Sequence, residues 1–411
     1  MKFVFLGGMY PKNREKELFE KSEGRLSFAA NLHQWNMVRG LEANMNEAIN
    51  IINAYFLPSY PRYSDWKIHT HHWSHDEMSE DINVGFLNFR GVRYMSQSKG
   101  IYKELKLYLQ KHISEQVVVF VYTMSYPQMK AVYELKKQGY DFHACLIVPD
   151  VPSILSKYGT RTGLYNRISS NYNLKHIEKY NTVMDSFVLL SEPMSQLVNV
   201  GERPYCVVDG MFSEAGKVTE NNEELKTAVY TGSLHKEYGI CDLLSSFQEI
   251  KKEDYRLIIA GTGNALEEVK KATESDSRIS YVGSLAYDQV YALQQKATVL
   301  VNPRSISGID AKYSFPSKTI EYMLSGRPVI MNCLPGMDGI YEEYLFTPKK
   351  CGCTGFADVI QHVCELPQEE RNEFAMKARQ FVIDNKSNVK QMEKVLSMIE
   401  EIIGHENNSL N

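Results

Sequence analysis

Five short apolar runs between residues 227 and 331 alternate with helix-length amphipathic segments. That order leaves few folds open. Strands this apolar are buried on both faces, and the segments between them must supply helices that cover a parallel sheet. The runs are 227–230, 256–260, 279–282, 298–301 and 328–331. Helices are expected at about 240–250, 265–272 and 287–295, with a further one holding Glu321. Three runs lead into glycine turns, Thr231-Gly232-Ser233, Gly261-Thr262-Gly263 and Gly283-Ser284-Leu285. In open α/β sheets, ligands bind beyond the carboxyl ends of strands, where loops meet helix N-termini.

The first half repeats the theme less regularly. Runs at 3–6, 117–122, 145–148 and 187–190 read as buried strands, the first ending in the Gly7-Gly8 loop and the last at Ser191-Glu192. Residues 58–100 are aromatic and polar without clear periodicity, which suits loops on an acceptor side. Residues 204–224 lose apolar periodicity and turn Glu/Asn-rich, as a linker does. Near the end, Val389, Met392, Leu396, Ile399 and Ile403 follow helical spacing and need a surface to cover. A chain of 411 residues favours two domains. We expect them at 1–210 and 211–383, with a terminal helix at 384–411.

Composition excludes several classes. With 43% hydrophobic and 23% charged residues, the chain is neither disordered nor fibrous. No run reaches the roughly 20 apolar residues of a membrane span, and the opening run is too short for a signal peptide. The seven cysteines are scattered, and Cys351 and Cys353 have no second pair to complete a zinc site. Free thiols in a reducing cytoplasm are the simplest account. Residues 1–210 carry 24 basic against 21 acidic side chains, and the remainder 22 against 29. Arg90, Arg93, Lys99, Lys103, Lys106 and Lys111 cluster in the positive half. They read either as a solvated helix face or as a surface for anionic lipid headgroups or a pyrophosphate-bearing acceptor. Nucleic acid is not an expected partner, given an acidic balance and no matching motif.

The densest chemistry lies in 314–330, SFPSKTIEYMLSGRPVI. Pro316 can start a helix and Gly326 can end it. Glu321 falls among Ile320, Met323 and Leu324, where a carboxylate needs a partner. A salt bridge to a neighbouring helix is one reading. The other is that its two oxygens accept the hydroxyls of a ribose. Asp150, at the end of a buried strand, reads equally as a turn residue or as a group that binds an acceptor or takes its proton. His69, His71, His72 and His75 match no common metal spacing and read as a polar loop. No metal is expected.

The 314–330 block resembles the donor-site signature of the retaining GT-B glycosyltransferases of the glycogen-synthase and bacterial polysaccharide type, the family 4 or "glycosyl transferases group 1" enzymes. Phe315, Glu321, Gly326, Pro328 and Val329 fall on the signature's positions. Residues 257–263 and 281–283 resemble its neighbouring markers, so the likeness spans about 230–330. It is looser in the first half. Four positions depart from the pattern. Tyr313 stands where the family's first carboxylate does, with Asp310 nearby. The basic pair that grips the diphosphate falls on Ser233 and Tyr238, leaving Lys236, Arg304 and Lys318 as cations, with Arg304 and Lys318 the expected clamp. Asp150 occupies a stretch where the family often has a histidine.

The resemblance implies two Rossmann-like domains facing across a cleft, with the last helix crossing back onto the first. It implies a hexosyltransferase-type enzyme, retaining and metal-independent, that takes a nucleotide sugar, UDP- or GDP-linked ahead of dTDP-linked. The donor would meet Gly232, Ser233, Lys236, Gly261, Gly263, Gly283, Ser284, Leu285, Arg304, Glu321 and the stretch Tyr313, Ser314, Phe315, Pro316, Ser317, Lys318 and Thr319. Asp150 and Glu321 are the catalytic candidates, and Gly7 and Gly8 form the N-terminal loop of the site. No other cofactor is implied. The acceptor would be a saccharide or a lipid-linked saccharide in surface polysaccharide synthesis, with the protein cytoplasmic and in peripheral contact with the inner membrane leaflet. Two rivals remain: a degenerate GT-B subunit that steadies an active partner, and a GT-B sugar-nucleotide epimerase.

Overall fold

The computed structural model describes residues 1–23, 25–151, 174–219, 225–307, 310–349 and 353–409. The chain divides into two compact units. One joins Met1–Val208 to Asn388–Asn411, and the other is Asp209–Ser387.

The first unit is built on an eight-stranded sheet. Its strands are β1 (Lys2–Gly7), β2 (Asn50–Asn53), β4 (His71–Trp73), β5 (Asp81–Asn83), β7 (Val117–Tyr122), β8 (His143–Val148), β9 (Ser186–Leu189) and β10 (Tyr205–Val207). They lie in the order β10-β9-β8-β7-β1-β2-β5-β4. Every pairing is parallel except β4 with β5. The central strands β7 and β8 are buried along their whole length, as their unbroken apolar sequences require. Two expectations change here. Residues 58–100 contain short strands, β3 (Lys67–Ile68) pairing antiparallel with β6 (Phe86–Leu87), besides β4 and β5. Strand β10 falls within the stretch read as linker, on the sheet edge beside β9. Both were hidden because two- and three-residue strands carry no period of their own. The 58–100 segment is held instead by a small core of Tyr10, Tyr55, Tyr63, Ile68 and Phe86.

The terminal helix Asn388–Ser409 packs on the helix Phe28–Met45 of the same unit. Met392, Leu396, Ile399 and Ile403 are buried, whereas Val389 is exposed. The approach is close. A Cβ on Gly40 would stand 2.4 Å from the Asn388 carbonyl oxygen. Asn388 Nδ2 donates to the Asn36 carbonyl at 3.1 Å and Asn44 Nδ2 to that of Val389 at 2.9 Å.

The second unit is a five-stranded parallel sheet of β11 (Lys226–Thr231), β12 (Tyr255–Ala260), β13 (Ile279–Tyr281), β14 (Val299–Asn302) and β15 (Val329–Met331). The order is β13-β12-β11-β14-β15. The chain runs outward from β11 in one direction, then returns to build β14 on its other side. The point of reversal, between the carboxyl ends of β11 and β14, is where an open α/β sheet offers a crevice. Cys145, Cys206, Cys241, Cys333 and Cys364 are free, while Cys351 lies outside the described residues. No helix among the described residues is long and apolar enough to cross a membrane.

Candidate functional site

Three elements of the second unit converge at this reversal. Thr231 closes β11, Gln294 lies in the last turn of the helix Tyr287–Gln295, and Glu321 lies in the first turn of the helix Lys318–Leu324. That helix starts at Lys318, after an N-cap at Ser317, rather than at Pro316. It is pinned to the sheet by Tyr322, fully buried, whose hydroxyl accepts from the Thr231 amide at 2.8 Å and donates to the Thr231 carbonyl at 3.0 Å. Burial raises the Tyr322 pKa strongly, so the hydroxyl keeps its proton.

Glu321 sits above this anchor. Buried Gln294 donates through Nε2 to Glu321 Oε1 at 2.6 Å and to Thr231 Oγ1 at 3.0 Å. Lys318 Nζ reaches both carboxylate oxygens, at 3.1 and 3.0 Å. The two side chains of this pair remain about a third open, 32% for Lys318 and 28% for Glu321. Glu321 is thus ion-paired within its own helix rather than to a neighbouring one. A carboxylate has about four lone-pair directions, so capacity remains for hydroxyl donors. Gln294 was not singled out from sequence. A glutamine at a helix end gives no signal of what it meets 27 positions on, although Gln294-Gln295 before a buried strand is a cue that one of them turns inward.

The Gly232 loop lies beside this pair. A Cβ on Gly232 would meet Lys318 Cε at 3.3 Å. Gly261 and Gly263 have a structural cause of their own. Gly261 has φ +140°, and a Cβ there would lie 1.7 Å from the Gly232 carbonyl oxygen. A Cβ on Gly263 would lie 2.1 Å from the Leu234 carbonyl. The loops are joined to one another by Gly232 N–H to the Ala260 carbonyl, Leu234 N–H to that of Thr262, and Gly261 N–H to that of Gly283. These glycines let backbone pack on backbone. Ser284 and Leu285 continue the third loop, with Ser284 exposed.

The expected cations divide. Lys318 belongs to the site. Arg304, just beyond β14, lies over the Tyr238 ring at 4.1 Å and donates from Nη2 to Ser314 Oγ at 3.1 Å. Gly239 brings these loops together, since a Cβ on it would lie 2.0 Å from the Pro303 carbonyl. Lys236 instead pairs with Glu268. Phe315 is buried against Tyr341, with ring centroids 5.2 Å apart, and Thr319 is buried with its hydroxyl toward Met331 Sδ. Both are structural there. Pro316 accepts from the Thr319 amide, Ser317 is exposed, and Tyr313 is half-buried with Lys312 over its ring at 5.5 Å. The Asp310 side chain lies outside the described residues.

In the first unit, the Gly7-Gly8 loop is closed from within. The amides of Gly8, Met9 and Tyr10 donate to Gln34 Oε1, Asn53 Oδ1 and Asn31 Oδ1 at 2.8, 2.7 and 2.8 Å. A Cβ on Gly8 would lie 2.2 Å from the Phe56 ring. Asp150 follows β8 with a side chain that reaches solvent, yet the protein packed around it pushes its carboxyl up to about 6. Its charge raises the already buried Tyr122 phenol further. The Tyr122 hydroxyl lies 3.2 Å from His33 Nδ1, and burial pushes His33 down to about 4, leaving it neutral at pH 7. Asp150, Tyr122 and His33 therefore share the carboxyl end of the β7–β8 pair. His33 and Tyr122 were not foreseen, because they come from separate elements.

The histidine segment carries no metal cluster among the described residues. His75 instead bridges Asp81 at 2.6 Å and Glu42 at 2.8 Å. Burial lowers its basicity, but the hydrogen bonds to Asp81 and Glu42 outweigh this and push it up to about 9.

Comparison with known proteins bears on the fold. Residues 225–365, about a third of the chain, match the model of the family described as glycosyl transferases group 1. No curated sequence is similar enough to match the chain. Among solved structures, sucrose-phosphate synthase from Thermosynechococcus elongatus superposes with a TM-score of 0.68 at 12% identity, over 98% of this chain and 100% of that one. A glycosyltransferase from Rickettsia africae gives 0.63 at 14%, over 98% and 99%. An E. coli trehalose-6-phosphate structure bound with UDP-2-fluoro glucose gives 0.65 at 9%, over 96% and 98%. The chain therefore has the GT-B fold, and the part of it that matches the glycosyl transferases group 1 model lies in its C-terminal unit.

Proposed function

We propose that the chain moves a hexosyl unit from a nucleoside-diphosphate sugar, UDP- or GDP-linked ahead of dTDP-linked, to a saccharide or lipid-linked acceptor in bacterial surface polysaccharide synthesis. The reaction retains anomeric configuration, needs no metal, and takes place on the cytoplasmic side. The observation that carries this reading is Glu321, about a third open, aimed by Gln294 and beside the Gly232 loop at the sheet's point of reversal. UDP in the Anabaena HepE complex and UDP-2-fluoro glucose in the E. coli structure are in keeping with such a donor.

In this reading Glu321 accepts the ribose hydroxyls, and Lys318 and Arg304 hold the diphosphate. Lys318 then exchanges its carboxylate partner for phosphate oxygens, a charge-assisted contact of similar strength. Cationic side chains stabilise the departing diphosphate, which is the role a metal plays elsewhere. Asp150, tuned up to about 6, is ionised at pH 7 and able to take an acceptor proton. Tyr313 at the family's first carboxylate position favours a second reading, a subunit that binds nucleotide without turnover. Incubating the purified protein with UDP-, GDP- and dTDP-sugars separates the two. Release of nucleoside diphosphate, unchanged by EDTA, supports the enzyme. Binding without release supports the subunit, and neither binding nor release removes both.

A further inference from the structure

A group of the first unit's exposed apolar side chains lies in and beside the β3–β6 ribbon. Trp66, 52% exposed, precedes β3; Leu87 closes β6; Tyr60, Phe89, Val92 and Met95 complete the group. Phe89 touches both aromatic neighbours, with ring centroids 5.6 Å from Tyr60 and 5.9 Å from Trp66. The arrangement is rigid. Buried Asn88 donates from Nδ2 to the carbonyls of Pro58 at 3.0 Å and Asp65 at 3.2 Å. Its amide donates to the Trp66 carbonyl at 2.7 Å, and its carbonyl accepts from Tyr60 at 2.9 Å. The side chain and backbone of Asn88 thus staple three loop segments so that their aromatic rings face outward.

Basic residues border this patch. Arg62, Lys67 and Arg90 are exposed in the same segments, and Lys67 stands opposite Leu87 in the ribbon. Val92, Met95 and Lys99 then follow one exposed stripe into the helix Arg93–Lys111. Two carboxylates of these segments are ion-paired: Asp65 with Lys21 at 2.9 Å, an ammonium shared with Glu17, and Glu104 with Lys103 at 3.1 Å. The farther part of the basic run is engaged elsewhere, with Lys111 on Glu80 and Lys106 over the Tyr102 and Tyr140 rings. Trp and Tyr among apolar side chains, ringed by Lys and Arg, match the two layers of an anionic bilayer surface, acyl boundary and headgroup. A patch this apolar on a soluble face needs a partner, and the charge decides which.

We infer that this patch docks the protein on an anionic lipid surface, with Trp66, Phe89 and Leu87 entering the acyl boundary and Arg62, Lys67, Arg90 and Lys99 meeting headgroup phosphates. It deepens the lipid-linked arm of the proposed function and rests on it only for its purpose. The full chain is floated with phosphatidylcholine vesicles, with and without phosphatidylglycerol. Binding to the anionic vesicles alone, weakened by salt, is expected, with each charge removed lowering affinity about fivefold. Trp66→Ser with Phe89→Ser should abolish flotation while leaving sugar-nucleotide turnover on a soluble acceptor intact. Should that variant fold poorly, brominated lipids should quench wild-type fluorescence, and a Trp66→Phe protein should lose that quenching. Flotation that survives loss of both aromatics overturns the inference. So do equal binding to neutral vesicles, no binding, or self-association through this face in its place. A wild-type chain that floats on anionic vesicles but turns over no sugar nucleotide counts against the transferase reading alone.

Discussion

Gln34 and Gln294 are both buried, and both stand beside a glycine-rich turn at the carboxyl end of a strand with parallel neighbours. Gln34, in the first unit, spends its carbonyl oxygen on the Gly8 amide, and Asn53 and Asn31 do the same for Met9 and Tyr10. Gln294, in the second, offers its amide to a carboxylate that remains open to solvent. The same kind of turn is therefore sealed in one unit and left with an unfinished charge in the other. A glycine-rich strand-to-helix turn says that backbones approach closely. Whether a ligand can follow depends on whether polar side chains have already taken the amides and charges.

Four measurements would break or sharpen that contrast, the largest effect first. Gly261→Ala places a Cβ against the Gly232 carbonyl at positive φ and should destabilise the second unit by about 3 kcal/mol or more. The matching Gly8→Ala meets only the Phe56 side chain, which can yield, and should cost about 1–2 kcal/mol. All three tryptophans lie in the first unit, so their fluorescence follows Gly8→Ala and circular dichroism follows Gly261→Ala. Equal losses would mean that the two turns are not built differently.

Glu321→Ala should abolish turnover and weaken nucleotide binding by about 2–3 kcal/mol in calorimetry, as for lost charge-assisted hydrogen bonds. Wild-type affinity would remove the ribose role. Third comes pH. The fold raises His75 from the ordinary value of 6.5 to about 9. Its contribution is therefore complete below about 6.5 and disappears as pH rises through 9, a loss on the order of 2–3 kcal/mol. Urea unfolding followed by tryptophan should show that decline, and His75→Asn should flatten it. A slope unchanged in the variant would assign the decline to other groups.

The smallest effects return to the two glutamines. Gln294→Leu should lower nucleotide affinity by about 1 kcal/mol, because Glu321 loses one restraint. Gln34→Leu should leave affinity alone and cost about 1–3 kcal/mol of stability, the consequence of an unpaired buried amide. An affinity loss in Gln34→Leu matching that in Gln294→Leu would erase the distinction between a sealed turn and an open one.

The second unit was legible because each of its strands lies on a nearly all-apolar run, and helix-length segments separate the runs. Glu321 stood out for a similar reason, as a carboxylate amid Ile320, Met323 and Leu324. Its partners did not. The reach of Gln294 across 27 positions, and of Gln34 across 26, is created by packing and leaves no trace in local pattern. The 58–100 segment resisted for another reason. Its strands are two or three residues long, and a cluster of tyrosines and one asparagine holds it together. Arg304 and Lys236 look alike in sequence, and only the tertiary neighbours, Tyr238 for one and Glu268 for the other, separate them.

The close crossing of Asn388–Ser409 over Gly40 bears on how the molecule is made. The first unit receives its last helix only after the whole of Asp209–Ser387 has left the ribosome. Until then the apolar side chains of Phe28–Met45 that this helix covers stand open, while the second unit already has every residue it needs. The unit begun first is finished last, so a nascent chain passes through a period in which a chaperone has an apolar helix face to hold.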